Sequence, residues 1–266
     1  MSNQFAYLES LLLADTRRSI SKLVWLEEVD STQSYLKRQV NCLEAKTPDS
    51  IYVCLADSQT AGRGQRDQNW QSYPGQIYWS IAFPITHFAN WQGLSLASAV
   101  EVQSVLSYDV SGVKIKWPND IVCSSGKLGG ILIESARDQQ QGNWLIMGLG
   151  LNINQNPQLS SQKTQCLSNL VKNQSIDRMG LCARFMEAWV RLIDIYPLRQ
   201  FAEWQDAFEQ VDDLYGQTLK IELGGQIYEG QARGVNDKGQ LKLYLSDGEC
   251  KLFSNGTIKK IRGNLS

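Results

Sequence analysis

The chain has 266 residues, enough for one large domain plus a small one. Its formal net charge is −1 with acids and bases interspersed, which argues against general nucleic-acid binding, since that needs a basic face. It contains a single histidine, His87, so any Ser-His-Asp triad, Cys-His dyad or His-ligated metal would have to use that one residue.

In chain order, Asn3 to Asp15 reads as a helix with Phe5, Leu8, Leu12 and Leu13 at helical spacing. Leu11-Leu12-Leu13 is too short for a signal-peptide core, and no membrane segment follows, so the expected compartment is the cytoplasm. Lys22 to Val29 reads as a strand. Asp30-Ser31-Thr32 then offers capping side chains to a helix from Gln33 to about Val40. Ser31 and Thr32 have two readings: capping alone, or a helix start that presents hydroxyls and free N–H groups to a ligand. Apolar runs at Ile51 to Asp57 and Ile77 to Phe83 predict buried strands, and between them lies a polar loop from Gln59 to Trp70. Trp91 to Ser107 predicts a buried helix rich in small residues. Val113 to Trp117 predicts a short strand stopped by Pro118, which disfavours a helical Trp117.

Ile121 to Cys123 and Lys127 to Ser135 read as a hairpin about Ser124-Ser125-Gly126. Trp144 to Leu149 is a further strand, and 155–174 is polar and irregular. Asp177 is expected to cap a helix carrying Cys182, Phe185, Met186, Trp189, Val190 and Ile193 on one face, ended by Pro197. Another helix is expected from Leu198 to Gln210. Beyond Asp213 the pattern alternates (Leu219, Ile221, Leu223; Leu241, Leu243, Leu245) with turns at Gly224-Gly225, Asp237-Lys238-Gly239 and Asp247-Gly248. This predicts a small all-β domain, a barrel or sandwich, over 213–266 after a larger domain over 1–212.

Four stretches carry the chemistry. Gly62-Arg63-Gly64 is neither a P-loop nor a dinucleotide fingerprint. It reads as a flexible surface loop, or as a backbone nest for an anion with Arg63 as a bidentate grip. Lys116-Trp117-Pro118-Asn119-Asp120 is a turn, or a place where Asp120 holds a magnesium ion beside Asn119. Lys127 is a hairpin residue, or a compact positive charge aimed at a developing anion. Gly148 to Asn154 is a bulged strand end, or a site wall with Asn152 bonding a ligand. The six cysteines lack metal-ligand spacing and read as reduced thiols.

Taken together, Asp30-Ser31-Thr32, Gln59 through Trp70, Lys116 through Asp120, Lys127 through Glu134 and Gly148 through Asn154 resemble the bacterial biotin–protein ligase family, in its order and spacing. The resemblance implies an α/β fold of the α+β type, like that of class II aminoacyl-tRNA synthetases and biotin ligases. It has a mixed sheet with helices mainly on one face, followed by an SH3-like β-barrel. It implies that ATP and biotin are substrates, that Mg2+ assists, and that a biotin carboxyl carrier domain of acetyl-CoA carboxylase or another carboxylase receives the biotin. Lys127 and Arg63 become the catalytic candidates. Ser31, Thr32, Gln33, Gln59, Gly62, Arg63, Gly64, Gln65 and Lys127 become the biotin site. Arg63, Arg66, Trp70, Asn119, Asp120, Lys127 and Asn152 become the ATP and adenylate site, with Asp120 as the metal ligand.

Two departures from the family stand out. Only a short segment precedes Asp30, so the expectation is a monofunctional ligase with no DNA-binding domain, no DNA or membrane partner, and a homodimer left open. The usual Gly-Arg-Gly-Arg-Arg-Gly-Arg run is Gly62-Arg63-Gly64-Gln65-Arg66-Asp67-Gln68 here. Two rivals are a lipoate or octanoate ligase, whose Arg-Arg-x-x-Gly-Gly-Gly segment is not present, and a sensor that binds biotin without transferring it.

Overall fold

The computed structural model describes residues 2–42, 50–65, 68–85, 90–139, 142–157, 163–171 and 175–260. Helices α1 (Ser2–Leu11) and α2 (Ala14–Ser19) lead into β1 (Ile20–Val29). The single helix expected up to Asp15 is broken because Leu12 turns into the core while Leu13 is exposed and extended. The Leu13 N–H donates instead to Glu187 Oε1 at 2.9 Å.

Next come α3 (Thr32–Cys42), β2 (Ile51–Gln59), β3 (Ile77–Pro84), α4 (Leu94–Ser107), β4 (Lys114–Lys116), β5 (Asp120–Cys123), β6 (Gly126–Arg137) and β7 (Asn143–Leu151). They form one seven-stranded mixed sheet in the order β1-β2-β3-β7-β6-β5-β4. β1 and β2 are parallel, as a helical crossover requires, and the other pairs are antiparallel. The Trp117-Pro118 peptide within the β4–β5 turn is cis.

Side chains alternate across the sheet. Val53, Leu55, Trp79 and Ile81 pack on one face against α1, α4 and α5 (Arg178–Arg199), with Trp79 and Trp189 ring centroids 4.6 Å apart. Cys54, Ala82, Trp144 and Ile146 face the other way, onto Leu36 and Val40 of α3. One face is thus fully covered and the other carries α3.

Asp177 caps α5 as expected, accepting from Met179 N at 3.1 Å and Gly180 N at 3.0 Å. Pro197 does not end α5. The helix continues to Arg199 and stops at Gln200, whose φ is 56° and whose side-chain amide donates to the Tyr196 and Pro197 carbonyls. The helix expected over 198–210 is a 3-10 turn, Phe201–Trp204, followed by α6 (Gln205–Val211).

Strands β8 (Thr218–Leu223), β9 (Gln226–Val235), β10 (Leu241–Leu245), β11 (Cys250–Phe253) and β12 (Thr257–Lys260) form an antiparallel sheet in the order β11-β10-β9-β8-β12. Among the described residues this sheet is open, not the closed barrel expected. Leu219, Ile221, Ala232, Leu241, Leu243 and Phe253 belong to the same apolar core as the large sheet, so burial is continuous across Asp213. Trp117 Nε1 donates to Gly239 O at 3.0 Å, and Gly239, at φ 73°, lies where an added Cβ would sit 2.9 Å from Gly93 Cα. That close approach fixes the β9–β10 turn against the start of α4.

Asp212 lies at the junction, bridging to Ile115. Its Oδ1 accepts from Leu214 N at 2.8 Å, while Oδ2 is buried without a partner among the described residues. Burial pushes the carboxyl up from 3.8 to about 6. The folded protein therefore holds this proton more tightly than the unfolded chain. The resulting stability is present below pH 4 and is lost as pH rises through 6. Asp212→Asn keeps the acceptor for Leu214 and removes the buried charge. Chemical denaturation at pH 8 should find it about 1–3 kcal/mol more stable than the parent, with a flatter profile between pH 4 and 7. Superimposable pH profiles would contradict this.

Candidate active site

α3 covers only part of its sheet face. Beyond its N-terminus opens a cavity of about 540 Å³ whose lining includes Gly130 and Leu132 of β6, Gly148 and Gly150 of β7, and Ser80 of β3. Gly130 pairs with Gly150, and Leu132 with Gly148, so the bare positions lie side by side. A Cβ at Gly148 would stand 2.7 Å from Gln33 Oε1 and 2.9 Å from Ser80 Oγ; one at Gly150 would stand 2.7 Å from Trp70 Cε2. Of the two readings of these glycines, bulged strand end or site wall, their place fits the second: they make room for neighbouring side chains and for the cavity.

At one end of the cavity is the α3 N-terminus. Ser31 occupies the N-cap position, with its carbonyl accepting Tyr35 N at 2.8 Å. The side-chain cap comes from β2: Gln59 Oε1 accepts Thr32 N at 2.9 Å. Asp30, a capping candidate by sequence, is held by Arg38 through bonds of 2.6 and 2.8 Å, and that guanidinium keeps its carboxyl below the ordinary value. Thr32 Oγ1 lies 2.8 Å from Ser80 Oγ, which donates to Gln33 Oε1 at 3.2 Å; Gln33 Nε2 donates to Ile146 O at 2.9 Å. Ser31, Thr32, Gln33 and Ser80 are all buried.

The loop after β2 is organised by its own backbone. Trp70 N donates to Gly62 O at 2.9 Å, and Gly64 N to Gln68 O at 2.7 Å. A Cβ at Gly62 would stand 2.5 Å from Trp70 O. The glycines therefore let two loop strands approach, and the Gly64 N–H is turned into the loop while Arg63 and Gly64 line the cavity. Arg63 does form a bidentate fork, but with Glu134 of β6, at 2.8 and 2.9 Å. Gln65, Gln68 and Trp70 line the cavity; Arg66, Asp67 and His87 lie outside the described residues.

At the other end, Lys127 Nζ is 2.6 Å from Asp120 Oδ1 and 5.5 Å from the Trp70 ring centroid. Asn152 donates its amide to Gln165 O at 3.1 Å, leaving Oδ1 buried and without a partner among the described residues; Trp70 Nε1 is likewise orphaned. One buried acceptor and one buried donor thus border the cavity, each costly unless a ligand satisfies it. Asn119 lines the cavity and also ties the turn to β6: its side-chain amide donates to Ile131 O at 2.6 Å and its main-chain carbonyl accepts Ile131 N at 3.0 Å.

Asp120 supplies a single carboxylate, already neutralised by Lys127, and no group of three metal-ligating side chains exists among the described residues. That donor set fits Mg2+ only when substrate phosphates and water complete the shell. The cysteines are free thiols; burial pushes Cys54 and Cys182 up to about 12, which makes them inert.

Three contributors escaped the sequence reading. Ser80 could have been noticed as the one serine or threonine in a strand that is otherwise aromatic and aliphatic. Lys116 lines the cavity from within a motif already singled out. Gly256, Thr257 and Ile258, at the start of β12, reach the cavity from the second sheet, and no local pattern announces that.

Residues 25–152 match the biotin/lipoate A/B protein ligase family. The chain is 28% identical over 237 residues to the bifunctional ligase/repressor BirA of Escherichia coli (strain K12), covering 88% of this chain and 72% of that protein. It is 29% identical over 226 residues to the biotin–[acetyl-CoA-carboxylase] ligase of Mycobacterium tuberculosis, covering 79% of each. The biotin protein ligase from Aquifex aeolicus in complex with biotin and ATP superposes with a TM-score of 0.77 at 26% identity, over 91% of this chain and 100% of that one. Every site residue expected from the sequence falls inside the matched segment, and residues 25–152 form a domain of the biotin/lipoate A/B protein ligase family.

Proposed function

We propose that this chain is an ATP-dependent ligase that activates biotin as biotinyl-5′-AMP and transfers it to a lysine of a biotin carboxyl carrier domain. The observation that carries this reading is the polarity of the cavity. Hydroxyls and an amide gather at the α3 end, a lysine stands at the other, and a floor of glycines joins them. A biotin ureido ring fits the first end and its carboxylate reaches toward the second. A dithiolane ring, as in lipoate, would leave Thr32, Gln59 and Ser80 buried against a group that bonds none of them.

In the first step a biotin carboxylate oxygen attacks the α-phosphorus of ATP, the P–O bond to the β-phosphate breaks, and pyrophosphate leaves. Two anions must approach, so a cation is needed between them. Lys127 supplies it by exchanging Asp120 for the ligand. Arg63 can reach the acyl-phosphate only by exchanging Glu134, and otherwise anchors the loop. Trp70 packs beside the adenine, and the Asn152 Oδ1 acceptor suits its exocyclic amine. Mg2+, held through Asp120 and the phosphates, would offset phosphate charge. In the second step the neutral ε-amine of the carrier lysine attacks the acyl carbon, AMP departs, and the amine proton goes to solvent.

The C-terminal strand order suits an SH3-like module, with the boundary near Asp213. A homodimer would extend the large sheet through β1 or β4, its outer strands. No described helix is long and apolar enough to cross a membrane.

Lys127→Ala should reduce biotin-dependent pyrophosphate release by about 10²–10³-fold, while calorimetry finds biotin affinity within a few-fold of the parent. Undiminished pyrophosphate release would remove the role. The loop carries Gln65 and Gln68 where the family pattern has arginines, so it should hold the adenylate loosely. Gln65→Arg should slow release of preformed biotinyl-AMP about tenfold; equal release rates would refute that.

A further inference from the structure

The hydrogen bonds at the α3 end have a fixed direction. The Ile146 carbonyl can only accept, so the Gln33 amide nitrogen must face it and Oε1 must face Ser80. Ser80 has one hydroxyl proton, and it goes to Gln33 Oε1 at 3.2 Å. Ser80 therefore has only lone pairs left for Thr32, and the 2.8 Å contact between the two hydroxyls requires Thr32 to donate. Gln59 Oε1 accepts Thr32 N and has a second lone pair 3.4 Å from Thr32 Oγ1, but the contact to Ser80 is much shorter at 2.8 Å and takes the proton; either way Thr32 is the donor.

We infer that Ser80, through Gln33 and Ile146, is a specificity-determining positioning residue: it commits the Thr32 proton inward and leaves Thr32 Oγ1 facing the cavity as an acceptor only. The group this end takes must then be an N–H or O–H donor, and a ligand presenting a lone pair there is rejected. Ser80 and Thr32 are 0% and 4% exposed, so a ligand seated against them leaves little room for water to supply a missing donor. Gly148 belongs to the same device, because a side chain there would overlap both Gln33 Oε1 and Ser80 Oγ. Gln33, expected to touch biotin, gives one amide N–H and one oxygen lone pair to this relay.

The inference rests on the biotin reading, in which the donor is a ring N–H of the ureido group. The test is calorimetry with biotin and with its two cyclic carbamate analogues, each carrying a ring oxygen in place of one N–H. The parent protein should bind at least one carbamate about 100-fold more weakly than biotin. In Ser80→Ala the Thr32 proton is released and can turn to the ring oxygen, so that gap should shrink to about tenfold or less. Ser80→Thr, which keeps the hydroxyl, should keep the gap. A parent that binds both carbamates as tightly as biotin, or a Ser80→Ala protein with an undiminished gap, overturns the inference while leaving biotin binding intact. A parent that does not bind biotin at all overturns the functional reading, and the inference with it. The parent measurement alone suffices if Ser80→Ala fails to fold.

Discussion

Three glycines on two neighbouring strands set the terms for everything else in the site. Gly130, Gly148 and Gly150 strip the side chains from one face of β6 and β7, just beyond the end of α3. Glycine weakens a strand interior because it brings no side chain to pack and loses more entropy on ordering. β7 tolerates two of them because it lies at the centre of the seven-stranded sheet, paired on both sides, with buried Trp144, Leu145, Ile146 and Met147 preceding them. A stable sheet centre thus carries the bare floor on which Gln33, Ser80 and Trp70 can converge.

The cations of the site are stored against carboxylates. Arg63 is forked onto Glu134, and Lys127 is paired with Asp120; both pairs are half-buried or deeper. Leaving either cation unpaired at such depth would cost more than pairing it. The pairs therefore keep positive charge at the cavity while the molecule as a whole stays near neutral. Among the described residues Asn152 Oδ1 and Trp70 Nε1 have no such placeholder, so they mark polar positions open to a ligand.

Much of this was legible in the sequence. Continuous apolar runs located β2 and β3, the Asp177 cap located α5, and the Lys116–Asp120 and Lys127–Glu134 blocks located the cationic end. What stayed hidden depends on contacts between distant segments. Nothing near Arg63 reveals that Glu134 will take its fork, or that the cap of α3 will come from Gln59 rather than Asp30. Pro197 reads as a helix stop because its missing N–H should break the ladder, yet two more residues, Leu198 and Arg199, stay helical before Gln200 closes it. The alternation after Asp213 correctly announced short antiparallel strands, but not whether the sheet would close, nor that the start of β12 would border the cavity.

The central claim is that the two ends of one cavity join biotin to a nucleotide and then to a protein lysine. Its most direct test is the intact mass of a biotin carboxyl carrier domain after incubation with this protein, biotin and MgATP. The account predicts a gain of one biotin that requires ATP and disappears when the carrier's acceptor lysine is replaced. A carrier mass that does not change, with biotin bound and ATP intact, would contradict it.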